Sequence, residues 1–335
     1  VSLHFAYRRY TVPFRIPVRT AHGLWTHREG VLVKLTDAKG RSGIGEAAPI
    51  PWFGTETADE IESACRSIGD SVQKHTALPV RLGCLTHAWK SALRALATEP
   101  TTSRHAYLPV VALLPAGRAA LERIKGLAEA GFRTFKWKVG VGDPSDERAL
   151  LDDLLAALPN GAKLRLDANG AWVRREAERW LAYCADRPIE FVEQPVSPDA
   201  PAVEDSLLGL AGDFPTRIAL DESVATLAQL ERWLAAGWPG VFVIKPSLIG
   251  DVDLAFEKLA KAKSPVVVSS AMETAIGAYA ALRLALAFPG ELLALGFGVY
   301  PLFVDNRLDG PAVAPFVRRE DLERFDPEAV WNVLS

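Results

Sequence analysis

Histidine is missing from most of this chain. All six (His4, His22, His27, His75, His87 and His105) precede residue 106 in a sequence of 335 residues. Proton transfer in the later part must therefore fall to Lys, Asp, Glu or Tyr, unless the first part reaches over. Cysteine is scarce too. Cys65, Cys84 and Cys184 are odd in number and widely spaced, which fits neither a disulfide framework nor a zinc site. They read as buried free thiols in a reducing cytoplasm. No apolar run is long enough to cross a bilayer: the longest, around Ala271 to Phe288, is broken by Glu273 and Arg283. Val1 to Tyr10 carries no apolar signal core. There is no Lys/Arg stripe, and the net charge is only -3, so neither a nucleic-acid nor a membrane partner is expected.

What is present suits a large enzyme. With 49% hydrophobic residues the chain can bury a sizeable core, and its length suggests about two domains. Residues 1–103 read as a small α+β domain. Val31 to Leu35 looks like a strand, and Asp37 to Gly40 like the turn after it. Thr57 and Glu60 form a capping box that opens a helix through about Lys74. A second helix is expected from Thr86 to Ala97. Two segments rich in glycine, proline and aromatics, Thr20 to Gly30 and Ala47 to Thr55, read as loops. The polar stretch from Thr98 to His105, with Pro100, marks the boundary.

From Leu108 short apolar runs alternate with longer helical segments. The runs are Leu108–Leu113, Thr134–Val139, Lys163–Asp167, Ile189–Glu193, Ile218–Asp221, Val241–Lys245, Val266–Ser270 and Leu292–Gly296. Amphipathic stretches such as Glu147 to Leu158 and Arg174 to Ala185 lie between them. This is the pattern of an α/β chain with a (β/α)8-type barrel over 104–309, the first domain capping it and a tail over 310–335 packing back on the cap. An open doubly wound sheet is the competitor, but no Gly-x-Gly-x-x-Gly follows the first run.

Polar residues stand at the C-terminal ends of these runs. From Lys138 the steps to Asp167, Glu193, Asp221 and Lys245 are 29, 26, 28 and 24 residues, one βα unit each. Each lands at the same height on the next strand, where this fold carries catalytic groups. Lys136 and Lys138 share a strand face, as do Arg165, Asp167 and Asn169. If those faces point inward, Asp167, Glu193 and Asp221 converge. Three bare carboxylates would repel, and a hard divalent cation resolves that. Mg²⁺ is the expected cofactor, with Mn²⁺ as a substitute.

Lys138 and Lys245, on strands facing each other across the ring, would flank the metal. A metal-held substrate carboxylate eases loss of a proton from the adjacent carbon. A lysine beside other cations and partly desolvated can act as the base. Lys138 is nearer the strand end and is taken as that base. Lys136 would supply the neighbouring charge and also touch the carboxylate. Arg165 either binds substrate or only balances the acids, and Asn169 either supports a ligand from behind or caps a loop.

These motifs resemble the enolase superfamily, in particular its muconate-lactonizing subgroup. The resemblance runs through Gly43-Ile44-Gly45-Glu46-Ala47-Ala48-Pro49 in the front part. In the later part it includes Lys136-Trp137-Lys138, Asp167-Ala168-Asn169, Glu193-Gln194-Pro195, Asp221-Glu222-Ser223 and Lys245-Pro246-Ser247. A Lys base with Mg²⁺ is a known pairing in that superfamily, and the absence of histidine after residue 105 argues against its His-base members. The resemblance implies that Asp167, Glu193 and Asp221 bind Mg²⁺, that Lys138 and Lys245 are the two catalytic lysines, and that loops of the cap contribute to specificity.

Within the subgroup the chain is most similar to the dehydratases of menaquinone and phylloquinone biosynthesis, through Arg165 to Asn169 and through Ser269-Ser270-Ala271-Met272-Glu273-Thr274-Ala275-Ile276-Gly277. No Asp-x-Asp of the dipeptide-epimerase kind follows Ser269. The Ser269-Ser270 segment is expected either to open a helix whose N–H groups hold a substrate carboxylate or to be an ordinary N-cap. The implied reaction is dehydration of 2-succinyl-6-hydroxy-2,4-cyclohexadiene-1-carboxylate to an aromatic product. Lys138 would serve as base and then as proton donor to the leaving hydroxide, while the metal and Lys245 stabilise the dianion. A racemase of N-succinylamino acids, with Lys245 as a second base, is the first alternative. A non-catalytic barrel that binds an anion is the second.

Overall fold

A computed structural model of the chain describes every residue except Val1, Ala21, His75, 98–102, 312–314 and Ser335. Most of the expected boundary at Thr98 to His105, and part of the tail, fall outside the described residues.

The front part is a four-stranded antiparallel sheet with two helices. A long hairpin joins β1 (Ser2–Thr20) to β2 (Gly23–Thr36); β3 (Ser42–Ala47) pairs with β2, and β4 (Ser71–Gln73) with β1. Thr20 and Gly23 to Gly30 are therefore strand and not loop. Val18 pairs with Trp25 and Thr20 with Gly23, and the Thr20 hydroxyl donates to the Gly23 carbonyl to close the turn. The glycine and aromatic content that suggested a loop belongs to a twisted hairpin tip.

Thr57 and Glu60 do form the capping box of α1 (Ala58–Ile68). That helix ends before Lys74 because Gly69 takes a positive φ of 77°. The second helix, α2 (Gly83–Leu96), begins three residues earlier than expected. It lies directly on β3, and this explains two glycines of the front motif. A Cβ on Gly45 would sit 1.9 Å from the Ala88 carbonyl oxygen, and one on Gly43 2.1 Å from that of Ala92. Any side chain there would push the helix off the sheet.

The Leu108–Leu113 run divides. β5 (Tyr107–Pro109) leaves the barrel to pair with β13 (Phe316–Arg318), and β6 (Ala112–Leu114) opens the parallel sheet. The alternation then continues as α3 (Ala119–Glu129), β7 (Thr134–Lys138), α4 (Pro144–Ala157), β8 (Lys163–Asp167), α5 (Arg174–Cys184), β9 (Ile189–Glu193) and α6 (Val203–Asp213). It closes with β10 (Ile218–Leu220), α7 (Leu227–Ala235), β11 (Val241–Ile244), α8 (Pro246–Ile249), α9 (Val252–Ala262), β12 (Val266–Val268) and α10 (Ala275–Ala287).

Seven parallel strands run in order from β6 to β12. The eighth expected strand, Leu292–Gly296, is reduced to isolated parallel bridges, Leu292 with Val266 and Leu295 with Val110. Those bridges span the gap between the two ends of the sheet, giving a (β/α)8-type barrel with an antiparallel capping domain. After β13 come α11 (Arg319–Glu323) and α12 (Pro327–Val333). In α12 Glu328 pairs with Lys34 and accepts from Ser42, while Arg8 lies over the Trp331 ring.

Strand alternation sorts the barrel's side chains. Outward residues such as Phe135, Trp137, Leu164, Leu166, Val192, Phe242 and Ile244 join the helices in one large core. The inward set forms a separate small cluster of Phe191, Ala219, Val241, Val243 and Val267. The ring is thus plugged below by apolar side chains, and its polar residues lie above the plug. All three cysteines are buried and free. Among the described residues no helix is long and apolar enough to cross a membrane.

Candidate active site

The inward parity that buries Phe191 also turns Lys136, Lys138, Asp167 and Glu193 toward the mouth. Lys138 stands directly beside Asp167, and Asp167 beside Glu193, in the register of three adjacent strands. Asp221 and Lys245 follow at the ends of β10 and β11. The structure thus brings together all five residues that the spacing singled out.

Their countercharges are internal. Lys136 Nζ lies 2.7 Å from both Asp167 Oδ2 and Glu193 Oε1, and Lys245 Nζ is in close contact with Asp221 Oδ1. Lys138 has no hydrogen-bond or ion-pair partner among the described residues. Lys136 therefore does not stand as a free charge beside Lys138, as the sequence suggested. Burial alone would lower its pKa, but Asp167, Glu193 and Asp221 outweigh that and hold it well above the ordinary value.

The acids show what the lysines leave undone. Burial pushes Glu193 up to about 8, with Asp167 and Asp221 adding to the effect and Lys136 opposing it. Burial, Asp221 and Asp167 likewise push Glu222 up to about 7, and its buried Oε2 has no donor among the described residues. Among the described residues no set of three acidic, histidine or cysteine side chains is already closed around one point, because Lys136 and Lys245 stand between the carboxylates. Buried oxygen donors in excess of fixed positive partners are the donor set that a hard divalent cation neutralises, so the residues fit Mg²⁺.

The other expected residues fare unevenly. Arg165 is 1% exposed. It pairs with Glu190 at 2.6 Å, donates to the Ala294 carbonyl at 2.7 Å and lies over the Phe191 ring, beneath the mouth. Its paired acid is Glu190, which is not one of the three strand-end carboxylates. Asn169, at a positive φ of 44°, donates its backbone N–H to Asp167 Oδ1 and its side-chain amide to Glu222 Oε1. It holds a ligand candidate from behind.

Ser269 and Ser270 do not open a helix. The next helix, α10, begins at Ala275, and its N-terminal N–H groups at Thr274 and Gly277 are already taken by Glu46 of the capping domain, at 2.9 and 2.8 Å. The Ser270 hydroxyl accepts from Met272 N and lies against Tyr300, while half-buried Ser269 keeps the inward parity of β12. The N-terminus of α10 already has its anion, and that anion is protein.

Several contributors were not marked by the strand spacing. Glu147 accepts from the N–H groups of Gly140, Val141 and Gly142 and so shapes the loop after Lys138. Phe53, in the cap's 47–55 loop, places its ring 5.0 Å from Lys245 Nζ. Trp52 of the same loop packs edge-on against Trp25 of the hairpin, so the two cap segments support each other. None of these contacts follows a helix or strand period.

A capping sheet over a parallel barrel, with acids and lysines at successive strand ends, defines a class, and comparisons agree with it. A family model described as enolase C-terminal domain-like matches residues 119–315, and one described as the MenC N-terminal domain matches residues 4–82. The chain is 41% identical to an o-succinylbenzoate synthase of Thermosynechococcus vestitus, over 97% of its own length and 100% of that relative. A crystal structure of o-succinylbenzoate synthase from Thermosynechococcus elongatus BP-1, with Mg in its active site, superposes with a TM-score of 0.83 at 40% identity. It covers 90% of this chain and 94% of that one. The L-Ala-D/L-Glu epimerase of Bacillus subtilis shares the fold, with a TM-score of 0.79 at 22% identity over 94% of this chain and 95% of its own. The chain belongs to the enolase superfamily and, within it, to the o-succinylbenzoate synthase family.

Proposed function

We propose that the chain is an Mg²⁺-dependent o-succinylbenzoate synthase that dehydrates 2-succinyl-6-hydroxy-2,4-cyclohexadiene-1-carboxylate. The observation that carries this reading is the division of labour among the lysines. Of the three lysines at the mouth, Lys138 alone has no partner among the described residues, and it stands beside three strand-end carboxylates. Asp167, Glu193 and Asp221 would hold Mg²⁺, with Mn²⁺ as a substitute. When bound, the ion supplies positive charge to the substrate carboxylate and so lowers the cost of removing the neighbouring proton.

The protein's own groups carry the rest. Lys138 Nζ takes the proton from the carbon next to the ring carboxylate. Lys245, from the opposite side, faces the negative charge that develops. Protonated Lys138 then gives its proton to the hydroxyl leaving the adjacent carbon, and water departs. The ring becomes aromatic, which draws the elimination forward. Phe53 of the cap, its ring 5.0 Å from Lys245 Nζ, would border the space for the succinyl arm. Of the residues expected to touch substrate, Lys136, Arg165, Ser269 and Ser270 all have protein partners, Ser269 through its hydroxyl to the Gly296 carbonyl at 3.3 Å. The buried free thiols support a reducing, cytoplasmic setting.

The test is direct. Pure protein with the cyclohexadiene substrate and MgCl₂ is followed for the ultraviolet absorbance of the aromatic product. No product, with efficient α-proton exchange of N-succinylamino acids in D₂O instead, would move the assignment to the racemase. No reaction with either would fit the anion-binding barrel.

A further inference from the structure

Gln194 follows Glu193, and its type and spacing give it no role. The structure makes it the most connected side chain at the mouth. It is fully enclosed and sits at a positive φ of 38°, which L residues rarely adopt. Its backbone N–H donates to the Ala219 carbonyl at 2.8 Å, and its carbonyl accepts from Gly170 N at 2.7 Å. Its Oε1 accepts from Asp221 N at 3.1 Å and Ser223 N at 3.2 Å. Its Nε2 donates to Ser223 Oγ at 2.7 Å and to the Val196 carbonyl at 2.9 Å.

Both amide hydrogens and both oxygen lone pairs are therefore in use. No other residue type repeats this set. Glutamate would set an oxygen against the Val196 carbonyl, and an apolar side chain would leave two buried N–H groups unpaired.

These bonds reach the turns that follow Asp167, Glu193 and Asp221. We propose that Gln194 is a positioning residue that fixes the spacing of the three carboxylates and so sets the affinity of the site for a divalent cation. This rests on the reading that Asp167, Glu193 and Asp221 bind Mg²⁺. A fully satisfied buried network is rigid. Carboxylates held at fixed separation meet a small ion without rearranging, whereas loosened ones must be ordered when it binds.

The experiment uses the full chain stripped of metal. MgCl₂ is titrated calorimetrically into wild type, Gln194→Met and Ser223→Ala, and melting is followed with and without MgCl₂. Gln194→Met keeps the volume and removes all four side-chain bonds. The expected result is an Mg²⁺ affinity lower by about ten- to a hundredfold, as for other groups that orient ligands, with a smaller Mg²⁺-induced rise in melting temperature. Turnover should recover partly at high MgCl₂. Ser223→Ala, which removes one acceptor from Nε2, should weaken Mg²⁺ binding less, and it carries the test alone if Gln194→Met does not fold. Variants that melt lower without metal yet keep wild-type Mg²⁺ affinity would overturn the proposal. Wild type that binds no Mg²⁺ would overturn both the proposal and the reading beneath it.

Discussion

Buried acids at two places in this molecule are satisfied in opposite ways. At the interface between cap and barrel, Glu46 is 1% exposed. It accepts from the Tyr10 hydroxyl, the Thr274 hydroxyl, and the N–H groups of Thr274 and Gly277. Those donors are buried hydroxyls or backbone N–H groups, fixed by the fold and carrying no positive charge. At the mouth, Asp167, Glu193 and Asp221 are met by lysine ammoniums on long flexible stems, and Glu222 Oε2 by no donor among the described residues. A carboxylate saturated by fixed neutral donors is a joint. Carboxylates balanced by lysine ammoniums form a site that can exchange its partners. Burial alone does not distinguish the two, but the kind of partner does.

The sharpest way to break the comparison is to remove the lysine that has no partner. Lys138→Ala should lower single-turnover dehydration by about a hundred- to ten-thousandfold, the range for a general base, while leaving melting temperature and Mg²⁺ affinity near wild type. A loss below about a hundredfold would point to another base. Next comes the metal. Asp221→Asn should weaken Mg²⁺ binding and turnover together, and a chelator should silence wild type reversibly. Metal-stripped protein that keeps full activity would mean that the mouth acids are a joint after all.

Lys245→Arg is expected to have a smaller effect on elimination and a decisive one on racemisation. Arginine keeps the positive charge beside Asp221 but cannot exchange a proton at ordinary pH. In a dehydratase Lys245 gives electrostatic support, so some formation of o-succinylbenzoate should survive, limited by the fit of a planar guanidinium. In a racemase Lys245 must give and take a proton, so α-proton exchange of both enantiomers of an N-succinylamino acid should vanish. Measuring both rates on this one variant separates the two activities.

The mouth was legible in the sequence, and the joint was not. Lys138, Asp167, Glu193, Asp221 and Lys245 recur at one βα unit because each strand of a barrel must end at the same height, so periodicity marks them. Glu46 bonds with Thr274 and Gly277, more than two hundred residues away, and no period links a cap strand to a barrel helix. The same blindness misread Ser269 and Ser270, since the anion occupying the α10 N-terminus comes from the other domain. It also missed Gln194 and Glu147, whose value lies in which backbone groups they reach. The eighth strand was found by its apolar run, yet it forms only isolated bridges. Thr20 to Gly30 was misjudged because glycine and tryptophan in a twisted hairpin look, by composition, like a loop.

The smallest effect on chemistry should come from Glu46→Gln, and for that reason it tests the comparison most closely. The amide keeps the shape of the carboxylate but turns one acceptor into a donor. It must then face at least one of the Tyr10, Thr274 and Gly277 donors with hydrogen instead of a lone pair. It also removes a full negative charge from the N-terminus of a thirteen-residue helix. Hydrogen bonds to a charged group contribute about 1.5–3 kcal/mol each, so stability should fall by about 2 kcal/mol or more, seen as a lower urea midpoint. Turnover and Mg²⁺ affinity of the folded fraction should stay within about threefold, because Glu46 shares no partner with the mouth acids and independent sites add. The opposite pattern would be unchanged stability with Mg²⁺ affinity lost as in Asp221→Asn. It would show that the interface acid takes part in the chemistry, and that the kind of partner does not separate joint from site.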